Sequence, residues 1–237
     1  MDNAISDEKE CTMLLVSPPL LGVYISPNTP GSKVPSHGTS CFGEEYAIDF
    51  VMIPESGKSK KPYRKSFFSY VCKGLPLDDF YGWGQRVYSP VNGRVIEVEN
   101  TIRERNPVNI FKDYKNTITV THEFMKNYAS SKMITGNYVM IEMAKDAYAL
   151  LVHLKQGSVC VQVGQEITTH DVLGELGHSG NSTMPHLHMQ FMDSRDFSIA
   201  KGLPFIFDTY KIKNTTNWVT IRNAVPKVED IIKFEME

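Results

Sequence analysis

Short runs in which apolar and polar residues alternate recur along this chain between glycine and proline punctuation. That is the pattern of antiparallel strands covering a core with one face. It predicts strands at Tyr46–Ile53, Arg94–Glu99, Tyr138–Met143, Ala147–Leu154, Ser158–Val163, Val172–Leu176 and His186–Met192, with a further one at Trp218–Ile221 in an otherwise mixed, charged tail. In Pro90-Val91-Asn92-Gly93 an Asn-Gly pair stands between Val87-Tyr88 and Val95-Ile96, which predicts a hairpin because both turn residues tolerate positive φ. Two stretches break the alternation: Pro54–Gln85, rich in Lys, Ser, Pro and aromatics, and Thr101–Gly136, which mixes charge with Asn and Tyr. Both read as insertions on a β scaffold. The second has room for a helix around Val108–Tyr114, but neither shows a long amphipathic period. The expected class is therefore all-β and mainly antiparallel.

Composition narrows the picture. At 237 residues and 41% hydrophobic, the chain can bury a sizeable core in a single domain. A formal charge of -2, with basic residues scattered apart from a patch at Lys58–Lys65, gives no excess for tracking phosphate backbones, so nucleic acid is not an expected partner. The four cysteines, Cys11, Cys41, Cys72 and Cys160, lack C-x-x-C pairing and read as free thiols. The apolar stretch Met13–Ile25 follows an acidic leader (Asp2, Asp7, Glu8, Glu10) and is broken by Pro18-Pro19, which fits neither a cleavable signal nor a membrane span. A chain already trimmed of a signal has the same appearance, so the compartment stays open.

The chemistry concentrates in a few positions. Gly177-His-Ser-Gly-Asn-Ser-Thr-Met-Pro-His186-Leu-His188 leads a small-residue turn into a strand whose two histidines share a face. Neutral imidazoles so placed suit metal binding or proton transfer; standing alone, such a pair is more often a surface feature. Two further positions change the balance. His153 lies in the apolar run Tyr148-Ala-Leu-Leu-Val-His153-Leu, and Asp49 in Tyr46-Ala-Ile-Asp49-Phe, where a buried ionised carboxylate needs a cation or a partner. His37, beside Gly38, supplies another upstream imidazole. His122-Glu123 lacks the second histidine of a helical zinc motif and reads as surface, His178 as a solvated turn residue near the site, and His170 has no assigned role.

In this order, with Tyr88-Ser-Pro-Val-Asn-Gly-Arg-Val, Gly136-Asn-Tyr-Val-Met-Ile, Val163-Gly-Gln and Gly180-Asn-Ser-Thr-Met-Pro-His-Leu-His between and around them, these residues resemble the lysostaphin-like (LytM-like, beta-lytic) zinc metallopeptidases. The resemblance spans roughly Ser36 to Met192. It implies one peptidase domain over 1–237: a core near 36–192, insertions near 54–85 and 101–136, and an extension over 193–237. The fold it implies is a two-sheet sandwich of the duplicated-hybrid-motif kind, with a substrate groove. It further implies Zn²⁺ held by His37, Asp49 and His188, a metal-activated water, and His153 and His186 as the catalytic pair. The implied substrate is a glycine- or D-amino-acid-containing peptide of bacterial cell wall (peptidoglycan), and the implied setting is extracellular or at the cell envelope; without a visible export signal a cytoplasmic setting stays open. Asp49 follows His37 by twelve residues, a longer spacing than the family's commonest one, at which Glu45 stands instead. Zinc's preference for nitrogen favours His37. Two rivals are a non-catalytic scaffold of the same fold that activates a wall hydrolase, and a histidine phosphocarrier of related topology, which Asp49 and the additional histidines disfavour.

Overall fold

The computed structural model describes residues 13–127 and 131–235. Cys11 and the acidic leader lie outside them; Cys41, Cys72 and Cys160 are exposed free thiols. The strands are β1 (Leu14–Val16), β2 (Gly22–Ile25), β3 (Ile48–Met52), β4 (Arg86–Tyr88), β5 (Gly93–Glu99), β6 (Asn137–Ala144), β7 (Ala147–Leu154), β8 (Glu166–Ile167), β9 (Val172–Glu175), β10 (Leu187–Met192), β11 (Phe205–Asn214), β12 (Asn217–Ala224) and β13 (Ile232–Phe234). Helices are α1 (Phe67–Lys73), α2 (Ile110–Asn127) and α3 (Ser131–Thr135). No helix among the described residues is long and apolar enough to cross a membrane.

The protein is mostly β, as the alternation predicts, and its two sheets are of very unequal size. The larger runs β1-β11-β13-β2-β3-β10-β7-β6-β5-β8 with β12 added on β11, and β4 pairs β9 in a second, two-stranded sheet. Pairing is antiparallel except for β1 on β11. Alternation explains the central strands. In β10, Leu187, Met189 and Phe191 enter the main core with Ile48 and Phe50 of β3 and Leu151 of β7. His188 and Gln190 face the other way.

Three expectations need correction. The predicted Asn-Gly hairpin does not form, because the backbone of β4 is committed elsewhere: Arg86 and Val87 pair with β9, Tyr88 N–H donates to Pro19, and Ser89 N–H to Asp171. The turn instead carries the chain from the small sheet to the large one. Ser158–Val163 is not a strand; Val159 N–H goes to the Asn100 side chain and Cys160 N–H to Leu173, so no continuous ladder develops. The terminal segments contribute more than their sequences suggest. The apolar stretch near Met13–Ile25 supplies β1 and β2, and the tail supplies β11 and β13, whose Phe207 and Phe234 pack with Tyr24 and Phe50.

Both stretches that break the alternation are structured. The first wraps a small core of Tyr63, Tyr70, Leu75, Leu77 and Phe80, which Val108 of the second completes. Leu75 and Val108 exchange backbone hydrogen bonds of 2.8 Å, joining the two. The second insertion holds an 18-residue helix, much longer than expected. Asn109 starts it by accepting from the Phe111 and Lys112 amides, while Asp113 returns to accept from Asn109 N–H at 2.6 Å. Its inward positions are Asp113, Thr117, Val120 and Phe124. That spacing is helical, but half the stripe is polar, which hides the period from a hydrophobicity reading.

Candidate metal centre

Asp49 and His188 are direct cross-strand partners on β3 and β10, both buried. His188 Nδ1 lies 2.9 Å from Asp49 Oδ1, and His37 Nε2 lies 3.1 Å from Asp49 Oδ2 on the other side. Ligand atoms of these three residues lie within 4.8 Å of one another. Asn28 also donates to Asp49 Oδ2 at 2.7 Å. Burial alone would raise the Asp49 pKa, but hydrogen bonds from His188 and His37 and the nearby His186 outweigh it and hold the carboxyl well below its ordinary range.

His37 reaches Asp49 from a loop that is tied down rather than loose, contrary to the flexibility that its glycines and prolines suggest. Ser36 is fully buried, its N–H donating to Glu45 O at 3.0 Å and its hydroxyl lying 3.0 Å from His37 Nδ1. Glu45 does not share a strand face with Asp49. It belongs to a 3-10 segment, Cys41–Tyr46, and its Cβ packs towards Gly202, whereas Glu44 lines the cavity.

The donor set suits a cation. Gln190 donates to Phe42 O at 2.7 Å, which orients its amide so that Oε1 faces His188 Nε2 at 2.9 Å. His188 thus has an acceptor at each ring nitrogen, and its Nδ1 meets Asp49 either through a second proton or through a positive ion. Without an ion, burial works against that proton, but the hydrogen bond and charge of Asp49 prevail and carry the imidazole to about 9. Two imidazole nitrogens and a carboxylate oxygen are the donors zinc prefers, so the residues fit the metal that the resemblance implies.

His153 and His186 complete the cluster, with ring centroids 4.7 Å apart. Plain alternation along β7 would turn His153 to the core side with Leu151. Asn137 pairs Leu154 while Tyr138 pairs Val152, so His153 is the extra residue of a bulge, and it adopts φ 65. The bulge swings its ring to the cavity side. Its Nδ1 lies 3.0 Å from Ser179 O, and His186 Nδ1 lies 2.8 Å from Met184 O. Each ring that donates there keeps its Nε2 lone pair for the site. Burial, then the neighbouring His186 and His188, push His153 well below the ordinary imidazole range; burial lowers His186 by more than Asp49 raises it.

These five residues, His37, Asp49, His153, His186 and His188, line one cavity of about 510 Å³. Phe42, Thr117, Thr121, Phe124, Thr183 and Phe197 form much of its outer wall, so the inserted helix α2 supplies one side. Sequence reasoning did not pick out Asn28, Gln190 or Ser182. Gln190 was legible as the next same-face residue after His188, whereas nothing in the sequence marks Asn28. His178 is fully buried rather than solvated, and His122 is exposed as expected.

The sequence profile of peptidase family M23 matches residues 77–198, just over half of the chain. The chain belongs to peptidase family M23. The matched span contains His153, His186 and His188, and ends short of His37 and Asp49 on the N-terminal side. No curated protein matches the chain in sequence. Among solved structures, the catalytic domain of lysostaphin from Staphylococcus simulans is similar at 16% identity and a TM-score of 0.37, over 77% of this chain and 88% of that one. The solution structure of lysostaphin aligns at 17% identity and a TM-score of 0.34 over 65% of this chain, which spans 39% of that protein. A chain of the SpoIIQ–SpoIIIAH pore-forming complex aligns at 13% identity and a TM-score of 0.40, over 81% and 89% of the two chains.

Proposed function

We propose that this family M23 chain is a zinc-dependent endopeptidase acting on glycine- or D-amino-acid-containing peptides of bacterial cell wall, with His37, Asp49 and His188 as metal ligands and His153 and His186 as the catalytic pair. The observation that carries this reading is the convergence of all five side chains on one cavity wall, with two imidazoles anchored through Nδ1. Zinc held there would supply Lewis acidity, polarising a peptide carbonyl and lowering the pKa of water. The protein's own part is to move the proton. As water attacks the carbonyl carbon, the bare Nε2 of one histidine accepts its proton and returns it to the leaving amine as the C–N bond breaks; the other imidazole, also neutral, accepts a hydrogen bond from the water's remaining O–H and orients the attack. Low imidazole pKa values keep both rings in the neutral, accepting form. The small and apolar cavity wall suits compact, weakly charged peptide segments.

The test is to load the purified chain with zinc and incubate it with pentaglycine and with peptidoglycan-derived stem and cross-linked peptides, measuring newly formed amino termini. Cleavage that disappears on chelation and in His153→Ala supports the reading. A chain that binds about one zinc and cleaves none of these peptides is a scaffold instead.

A further inference from the structure

We propose that Glu44 makes the cavity selective for peptides bearing a primary ammonium group, either a free amino terminus or a side-chain amine. Apart from its histidines, the only ionisable side chains lining the cavity among the described residues are Asp49 and Glu44, both acids. Asp49 is committed, since two imidazoles and the Asn28 amide already meet it. Glu44 is not. Half-buried, it has no ion pair or side-chain hydrogen bond among the described residues, and it stands outside the three-residue group that could hold a metal. It is nevertheless near that group: after burial and Asp49, the Glu44 charge is the next influence on the His188 imidazole.

The backbone holds this residue in place. Phe42 and Gly43 are consecutive left-handed residues (φ 63 and 74), and they turn the chain so that Glu44 lines the cavity while Glu45 packs towards Gly202. Only glycine serves at the second position, where a Cβ would come within 2.9 Å of Met192 Cβ. Gln190 Nε2 donates to Phe42 O at 2.7 Å. Glu44 O accepts from Ala47 N–H at 3.1 Å and from the Ser36 hydroxyl at 3.3 Å, the same hydroxyl that lies 3.0 Å from His37 Nδ1. Glu44 is thus fixed to the frame that presents His37, and a carboxylate so held is a preorganised acceptor for a cation. Its surroundings suit an ammonium: Phe42, Phe124 and Phe197 line the same cavity, and aromatic faces attract a cation that has left water. A carboxylate of the substrate at this point is repelled. The selectivity rests on the reading of the cavity as a peptide site, but it is measurable without turnover.

The experiment uses the full-length, zinc-loaded chain and its Glu44→Gln and Glu44→Lys variants. The probes are triglycine amide, its N-acetyl and N-succinyl derivatives, and N-acetyl-glycyl-glycyl-lysine amide with and without an acetyl group on the lysine. Equilibrium binding is measured for each, and kcat/KM where the peptide is cleaved. Wild type should favour an ammonium peptide over its acetylated counterpart by about 10- to 100-fold, the scale of a hydrogen bond to a charged group. Preference for triglycine amide marks an amino terminus as the recognised group, and preference for the lysine peptide marks a side chain. Glu44→Gln should abolish the preference with zinc content intact, and Glu44→Lys should move it to the succinyl peptide. No preference in wild type, a preference that survives Glu44→Gln, or loss of zinc in that variant, which would make Glu44 a partner of the metal, overturns the inference. Charge-selective binding without cleavage sinks the peptidase reading alone; cleavage without charge preference sinks the selectivity alone.

Discussion

Asp49 and His188 meet at 2.9 Å as cross-strand partners in the buried centre of the sheet, so neither can be removed without stranding the other. The chain should bind about one zinc, and His188→Ala should lose it. With metal removed by chelator, His188→Ala should still cost on the order of 3 kcal/mol, since it leaves a buried carboxylate short of a partner. Metal analysis and denaturant melts measure the two effects separately. Full occupancy in the variant would show that the ligand assignment is wrong.

His153 is held at φ 65, where a side chain with a Cβ is strained. Replacing it should separate stability from activity. His153→Ala and His153→Gly should both retain zinc and lose peptide hydrolysis by roughly a hundredfold or more, as when a general acid or base is deleted. Yet His153→Gly should fold more stably than His153→Ala by about 1 kcal/mol, because glycine alone adopts this backbone freely. Equal melting points for the two would remove strain from the account.

The alternation of β10 and β3 made Asp49 and His188 legible, since a polar residue in an otherwise apolar period-two run must face something other than the core. The bulge at His153 was not legible. No glycine marks it, and the apolar neighbours Leu151 and Val152 read as an unbroken strand. Helix α2 was obscured for a related reason: of its inward positions Asp113 accepts from Arg105 and Thr117 lines the cavity, so its buried face does not look apolar, while Phe111 and Tyr114 stand outside. Where side chains are chosen for chemistry, the hydrophobic pattern that signals structure is weakest.

The loop carrying His37 is fixed by Ser36, and Glu45 faces away towards Gly202. Zinc titrations should therefore find His37→Ala at least tenfold weaker in affinity and without turnover. Glu45→Gln should match wild type in both. The reverse pattern would reassign the first ligand.

Glu99 gives a pH signature away from the site. The Lys132 ammonium at 2.5 Å and the Thr101 hydroxyl outweigh its burial and hold its carboxyl at about 2, against an ordinary value of 4.5. A depressed folded pKa contributes stability that is present above the unfolded value and lost as pH falls through the folded one. Glu99→Gln should be less stable than wild type at pH 7, and the gap should close between about pH 4.5 and pH 2. Urea melts across that range check it; a gap constant down to pH 2 would mean that the charge contributes nothing.

The loop that presents His37 is fastened at its base to the far end of the chain: the Thr29 hydroxyl donates to Pro226 O at 2.6 Å, and Val228 N–H donates to Ser32 Oγ at 2.9 Å. These contacts join positions almost two hundred residues apart. The segment around Pro226 thus braces the base of a loop whose tip is already held by Ser36 on Glu45, and cutting the chain before Pro226 would remove the outer tethers while leaving that inner one.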